Sequence, residues 1–463
     1  MADVDIDALV AEMVDGNFPD GRLTKRLETI VRGLARDPSK SLPAILEPAE
    51  LEGAYRFFSN PLVQMHTILG PHFESTRERA SQQDRVRVVH DQTEFSYDKR
   101  GHREGLRTSG YQSFCGHFSL VLCADDIRRP LGLAALHTFT GDESVPQQSY
   151  WLQQIEASAK QLACGAKAVH IADRGADDYA LYAALVEAGH RFVIRMMANR
   201  FTQSGPGGSR SQLRDVMATI EHVEERTTRV NGRHRHTNPA HRKIHPPREV
   251  RHVTLHLGAM SIVLPRPALS SRNGRRRLAH LPLQIQVNVV RVWEPEPPVG
   301  EEPIEWFLCT NEPIDTAEQI RAVVDHYRAR WTIEEYFKAL KTGCAYERRQ
   351  LHDYEALTNA LAVFAPLACR VVALRTQARR TPEAPASTVV STDQLEVLRA
   401  LGRRKLPEQP TARDVLLAVA ALGGHIKYAP DPGWLTISRG LEKLENLTEG
   451  WVAAKLQPRS DQR

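Results

Sequence analysis

The chain has 463 residues, with 61 Lys and Arg against 56 Asp and Glu, a formal net charge of +5 and a hydrophobic fraction of 41%. These values lie near the average for soluble globular proteins and exclude a collagen-like, coiled-coil or wholly disordered chain. The length has room for about two to four domains. A pI near 8.8 suits a nucleic-acid binder and an ordinary enzyme equally, so a basic surface must be local if it exists.

Cys115, Cys123, Cys164, Cys309, Cys344 and Cys369 form no CxxC pair. That argues against a zinc knuckle and suits buried thiols in a reducing cytoplasm. The acidic start, MADVDIDALVAEMVDGNFPDG, does not read as a signal peptide. No uninterrupted apolar run reaches the roughly 20 residues of a membrane span. The longest candidate, 357–374, contains Asn359, Pro366 and Arg370.

Residues up to about 70 read as helices. In GRLTKRLETIVRGLARDP, Leu23, Leu27, Ile30, Val31 and Leu34 recur at helical spacing. Arg22, Lys25, Arg26, Arg32 and Arg36 lie mostly on other faces, as a solvated face or a surface for nucleic acid. An α/β pattern follows. RVRVVHDQTEF, HFSLVLCADD and PLGLAALHTFT predict three strands joined by short links, hence antiparallel. QSYWLQQIEASAKQLAC predicts a helix, AVHIAD a buried strand, 177–189 a helix ending at Gly189, and RFVIRM another strand. This set predicts a mixed sheet with helices packed on it.

Residues 197–304 predict an all-β insertion with basic loops, notably RTTRVNGRHRHTNPAHRKIHPPREVRH and SRNGRRR. The segment HRHTNPAHRKIH has neither a carboxylate nor a helical i, i+4 frame, so it reads as a solvated cationic loop rather than a metal site. IEWFLCTN then predicts a strand. DTAEQIRAVVDHYRARWTIEEYFKALKTG predicts one long helix, capped by Asp315 or Thr316 and stopped by Gly343. An apolar helix over 355–376 and a helical tail complete the chain.

On one continuous helix, Tyr327, Arg330, Glu334 and Lys341 fall within an arc of about 60°, and Trp331 borders it. Asp91 and Asp173 each end an apolar run, VVHD and VHIAD, and strand ends in α/β sheets face the ligand crevice. Three converging carboxylates repel one another unless a divalent cation intervenes, and hard oxygen ligands favour Mg²⁺ or Mn²⁺. Read one at a time, Asp91 is a turn residue, Asp173 a helix cap and Glu334 a surface ion pair.

YRARWTIEEYFKALKTG, HDQTEFSY, ADRGADDY, RFVIR, WFLCTNEP and GAYRFFSNP together carry a family resemblance. The chain closely resembles bacterial DDE cut-and-paste transposases of the insertion-sequence group with the YREK signature, over nearly its whole length. The resemblance implies an α/β, ribonuclease H-like mixed-sheet core over 71–372, interrupted by the β-rich insertion. It implies a helical DNA-end-binding domain over 1–70 and a helical dimerisation region over 373–463.

By the same resemblance Asp91, Asp173 and Glu334 are catalytic and hold two Mg²⁺ ions, for which Mn²⁺ substitutes. Tyr327, Arg330, Lys341 and Arg195 contact DNA phosphates. Trp306 stacks on a flipped base, and Trp331 lines its pocket. Arg22, Lys25, Arg26 and Arg36 lie on the end-binding helix. The partners implied are double-stranded DNA, as transposon ends and target, and a second copy of the chain in the paired-end complex. The setting implied is the bacterial cytoplasm, with no membrane. The complete acid set argues against a regulator that only occupies ends, and the YREK set with Trp306 argues against a simple nuclease. Met196 and Met197 depart from the polar, basic stretch that follows Arg195 in the family.

Overall fold

The computed structural model describes residues 6–14, 18–36, 38–98, 101–108, 111–125, 127–141, 147–163, 167–203, 208–230, 232, 237, 246–268, 278–426 and 431–456. In chain order the helices are α1 (Ile6–Val14), α2 (Gly21–Arg36), α3 (Pro48–Phe58), α4 (Met65–Ser81), α5 (Gln147–Leu162), α6 (Tyr179–Glu187) and α7 (Leu213–Ala218). They continue with α8 (Ala317–Arg328), α9 (Trp331–Lys338), α10 (Tyr354–Arg380), α11 (Thr392–Leu401), α12 (Ala412–Leu422) and α13 (Trp434–Leu456). The strands are β1 (Val86–Tyr97), β2 (Gln112–Cys123), β3 (Pro130–Phe139), β4 (Ala168–Ala172), β5 (Arg191–Met196) and β6 (Phe201–Gln203). After them come β7 (Arg210–Gln212), β8 (Glu224–Val230), β9 (Arg251–Pro265), β10 (Gln284–Trp293) and β11 (Glu305–Thr310).

The chain divides into two compact units. The first comprises Met1–Pro146, Gln153–Lys167 and Trp331–Arg463, and the second Gln147–Leu152 and Ala168–Arg330. In the first, β1, β2 and β3 pair antiparallel, as predicted, although the chain between β1 and β2 is longer than the short link expected. Residues 86–90 of β1 are buried without alternation, so both faces of the strand are covered there. Helix α10 has the length and hydropathy of a membrane span, yet 94% of that window is buried inside the protein. Within it, the side-chain nitrogen of the buried Asn359 donates to the carbonyls of Phe58 (3.0 Å) and Val63 (2.9 Å). Those bonds tie α10 to the end of α3 and the loop after it.

In the second unit the strand order is β4-β5-β11-β10-β9-β6-β7, with β8 on β9. β4 and β5 are parallel and joined through α6, while β11, β10 and β9 add antiparallel. The mixed α/β architecture with helical N- and C-terminal regions is the one the resemblance implies.

Four local expectations need correction. The insertion is not all-β, because α7 lies within it. Helix α6 starts later than predicted and is capped by Asp178, whose side chain accepts from the amides of Ala180 and Leu181. Asp91 does not end its strand: β1 runs on to Tyr97, because Thr93, Phe95 and Tyr97 keep the alternation and pair with β2.

The fourth correction concerns the long predicted helix, which is broken. Of the two expected caps, Thr316 is the one that caps α8, through a capping box with Gln319, but Ala329 and Arg330 form a turn. There Ala329 donates to His326 as well as Asp325, and Arg330 donates to Tyr327, so the last turn tightens to i→i−3 bonds. Residues Ala339–Gly343 form a π turn closed by Cys344 N on Ala339 O at 2.7 Å. A uniform rotation per residue therefore does not carry from Tyr327 to Lys341. Residues 233–236, 238–245 and 269–277, which hold most of the lysines and arginines of the two basic runs and nearly all of HRHTNPAHRKIH, lie outside the described residues, as does Cys164.

Candidate active site and nucleic-acid interface

In the first unit, Asp91 sits where β1 changes from burial on both faces to alternation. It pairs with Phe118 of β2, and directly opposed residues share a face. Helix α9 packs against β1 through that face: Tyr336 and Phe337 meet the Phe118 ring at centroid distances of 5.7 and 5.3 Å. Asp91 and α9, which carries Glu334, are thus on the same side of these strands. Both carboxylates are half-buried. Asp91 Oδ1 accepts from the Gln92 amide at 2.8 Å, which fixes its rotamer. The adjacent Glu335 is held by Arg375 and Arg379 of α10. Beside Asp91, burial pushes the His117 imidazole down to about 3, so it is neutral at physiological pH.

Lys341 lies in the π turn. Its ammonium donates to the Glu94 carbonyl, sits 3.4 Å from Glu347 Oε1 and lies over the Phe95 ring. Trp331 is 61% exposed and lines a cavity of about 310 Å³ with Arg128, Glu335, Thr376, Arg379 and Arg380. Lys25 and Arg26 line a cavity of about 300 Å³ with Thr29, Gly53 and Arg56, formed by α2 and α3. Arg22 is paired with Asp20 and Arg36 with Glu449, so only Lys25 and Arg26 of the four predicted cations converge there.

In the second unit, Asp173 directly follows β4, as its sequence position predicts. It caps a short 3₁₀ turn, 174–176, rather than α6. Its Oδ1 accepts from the Gly175 amide at 2.7 Å. A Cβ at Gly175 would stand 2.9 Å from that same oxygen, so glycine lets the carboxylate fold back onto the turn.

The same unit brings three predicted DNA contacts together. Arg195 on β5 lies over the Trp306 indole of β11, 5.8 Å from its centroid. Tyr327 of α8, 6% exposed, meets Trp306 edge-on at 5.6 Å. Arg330 sits half-buried in the turn that ends α8.

Sequence reasoning missed Asp177. Its carboxylate accepts from the amides of Met197 (2.7 Å) and Ala198 (2.8 Å) and from Tyr182 Oη (2.7 Å), and it pairs with Arg200. It thereby anchors the chain after β5, where Met196 is buried and Met197 exposed. Nothing in ADRGADDY distinguishes it from its neighbour Asp178.

Two protein-family models match the chain. Residues 6–63, spanning α1 to α3, match the Transposase DNA-binding family. Residues 83–365, from the start of β1 into α10, match the Transposase DDE domain family. Among solved structures, the chain is similar to the piggyBac transposase in a cryo-EM structure of its synaptic complex with hairpin DNA. The identity is 10%, over 99% of this chain and 73% of that one, with a TM-score of 0.34. With a DDE domain covering more than half its length behind a transposase DNA-binding segment, the chain belongs to the DDE transposase family and is a DNA-binding enzyme that cleaves and transfers DNA strands.

Proposed function

We propose that the chain is a cut-and-paste transposase of the bacterial insertion-sequence group with the YREK signature, here Tyr327, Arg330, Glu334 and Lys341. DDE domains typically depend on divalent metal. The donor set fits: Asp91, Asp173 and Glu334 are hard oxygen ligands, suited to two Mg²⁺ ions or to Mn²⁺ in their place. Such ions, when bound, activate water and stabilise the attacking and leaving oxygens of in-line phosphoryl transfer.

The reaction sequence is four phosphoryl transfers. Water cleaves one strand at the transposon end and frees a 3′-OH. That hydroxyl attacks the opposite strand, displacing its neighbour and closing a hairpin. Water reopens the hairpin, and the 3′-OH then attacks target DNA. Each step exchanges one phosphodiester oxygen for another, so a single site serves them all.

The observation that carries this reading is the Arg195–Trp306–Tyr327 cluster. Closing a hairpin bends one strand sharply, and extruding a base relieves the bend at a cost of a few kcal/mol that aromatic stacking offsets. Trp306 supplies the stacking surface, and Arg195, Tyr327 and Arg330 supply donors to the flanking phosphates. Lys25 and Arg26 contact the transposon end from an N-terminal domain over 1–70, ahead of a core over 71–372. Residues 373–463 dimerise in the paired-end complex, in a bacterial cytoplasm.

The test is cleavage of DNA carrying the element's ends by the purified protein with Mg²⁺. Asp91→Ala, Asp173→Ala and Glu334→Ala each abolish nicking while end binding persists. Cleavage by Glu334→Ala at the unsubstituted rate would overturn the assignment.

A further inference from the structure

We propose that His222, Glu225 and His256 form a Zn²⁺ site within the second unit, in addition to the carboxylates of the DDE set. Nε2 of His222 lies 3.4 Å, and Nε2 of His256 3.3 Å, from the same oxygen, Glu225 Oε1. The donor atoms of all three lie within 4.8 Å of one another. Donors held about 2.1 Å from a tetrahedral zinc are about 3.4 Å apart. Two edges of the tetrahedron therefore already have their length. They are longer than the roughly 2.7–3.2 Å of an N–H···O hydrogen bond. Two imidazoles and one carboxylate, with water in the fourth position, are a donor set zinc accepts.

The backbone explains why these side chains meet. Glu225 of β8 stands directly opposite His256 of β9, so the two share a face. His256 is opposite Trp293 of β10 and packs against its ring, edge to face, at 5.5 Å. The Arg291 guanidinium covers that indole at 4.5 Å. His222 comes from the segment before β8, and Gly258 of β9 admits that segment. A Cβ at Gly258 would stand 2.6 Å from both Glu221 O and Ile220 Cγ2. Without a side chain there, residues 220–221 lie across β9, and Val223 N donates to Leu257 O at 2.8 Å. The two imidazoles consequently stack, with centroids 4.0 Å apart.

His256 is thus held by packing, while His222 and Glu225 remain open to an entering ion. Nitrogen-rich ligation favours Zn²⁺ over Mg²⁺, which prefers oxygen alone and keeps its waters. A bound ion clips the start of β8 onto β9.

The experiment is equilibrium dialysis of chelator-treated full chain against micromolar Zn²⁺ in excess Mg²⁺, with bound zinc measured by elemental analysis. Thermal melting with and without Zn²⁺ accompanies it. The unsubstituted protein and Glu334→Ala are expected to retain zinc and to melt higher with it, since a ligand of the folded state stabilises it. His222→Ala and Glu225→Ala, both surface substitutions, are expected to lose at least about ten-fold in affinity and most of the melting shift. Co²⁺ in place of Zn²⁺ gives the visible absorption of a tetrahedral site in the unsubstituted protein, and none in His256→Ala. Equal zinc retention by His222→Ala with Glu225→Ala, as the histidines of HRHTNPAHRKIH would give, overturns the site. So does an unsubstituted protein that retains no zinc.

Discussion

Arg195 and Trp306 are diagonal neighbours on adjacent antiparallel strands. Arg195 is opposite Leu308, two residues beyond Trp306, and its guanidinium covers the indole. The contact is worth about 0.5–2 kcal/mol as a cation–π pair, and it fixes the indole plane before DNA arrives. Trp306→Ala should therefore leave the first nick intact and slow hairpin closure. Losing one stacked base costs about 1–3 kcal/mol, or roughly five- to 160-fold in rate. A fluorescent base analogue at the extruded position reports the step directly. Hairpin formation at the unsubstituted rate would remove Trp306 from the reaction.

Lys341 is already engaged, by Glu347 and by the Glu94 carbonyl, and Glu347 Oε1 also accepts from the Ser96 amide at 3.1 Å. On the proposed reading, a phosphate reaching Lys341 competes with that carboxylate. Glu347→Gln is expected to tighten end binding at low salt. Lys341→Met should reduce the slope of log affinity against log salt by about 0.9, the share of one neutralised phosphate. Fluorescence anisotropy across a salt series measures both. An unchanged slope in Lys341→Met means that the ammonium stays with Glu347.

Much of this was legible in the sequence because it rests on short-range patterns. The β1–β3 strands follow from apolar, β-branched runs, the antiparallel β2–β3 pair from a short link, and the start of α8 from the choice of Asp315 or Thr316 as cap. Asp173 follows from the end of the apolar run AVHIA. What was not legible depends on tertiary contacts. The break at Ala329–Arg330 has no Gly or Pro to announce it, and the π turn at Ala339–Gly343 leaves no periodic signature. A charge after an apolar run makes Asp91 resemble a strand end in the sequence. The strand continues because β2 pairs with it through Tyr97. The meeting of His222 with His256 depends on a missing side chain at Gly258, on the strand of His256 and distant in sequence from His222.

Gly132 offers a test of packing in the first unit. Its φ is +138°, and a Cβ there would stand 2.0 Å from Thr76 Oγ1 and 3.1 Å from both Arg79 Nη2 and His72 Cε1. Backbone strain and overpacking each cost about 1–3 kcal/mol. Gly132→Ala should lower the urea midpoint by an amount equivalent to about 2–6 kcal/mol. A midpoint within error of the unsubstituted protein would mean that α4 shifts away from β3 at little cost.

The same junction should be acid-sensitive, and one carboxylate sets the range. Glu12 of α1 lies 2.5 Å from His72 Nδ1, and it accepts from Arg79 Nη1 at 2.9 Å and Nη2 at 3.0 Å. Both partners are on α4 and continue to β3. Arg79 Nε donates to Leu131 O at 2.6 Å, and His72 Nε2 accepts from the Leu133 amide at 3.0 Å, which leaves Nδ1–H to face Glu12. Burial works to raise the Glu12 carboxyl, but its bonds to His72 and Arg79 outweigh it and hold the group at about 2, below its ordinary 4.5. A depressed folded-state value stabilises the fold above the unfolded value and is lost as pH falls towards the folded one. The contribution, of order 3 kcal/mol, should therefore be complete above pH 4.5 and disappear between there and about pH 2. Glu12→Gln removes this titration and should flatten the pH dependence of urea unfolding in that window. Parallel curves for the two proteins would show that α1 is held to α4 by its apolar face alone.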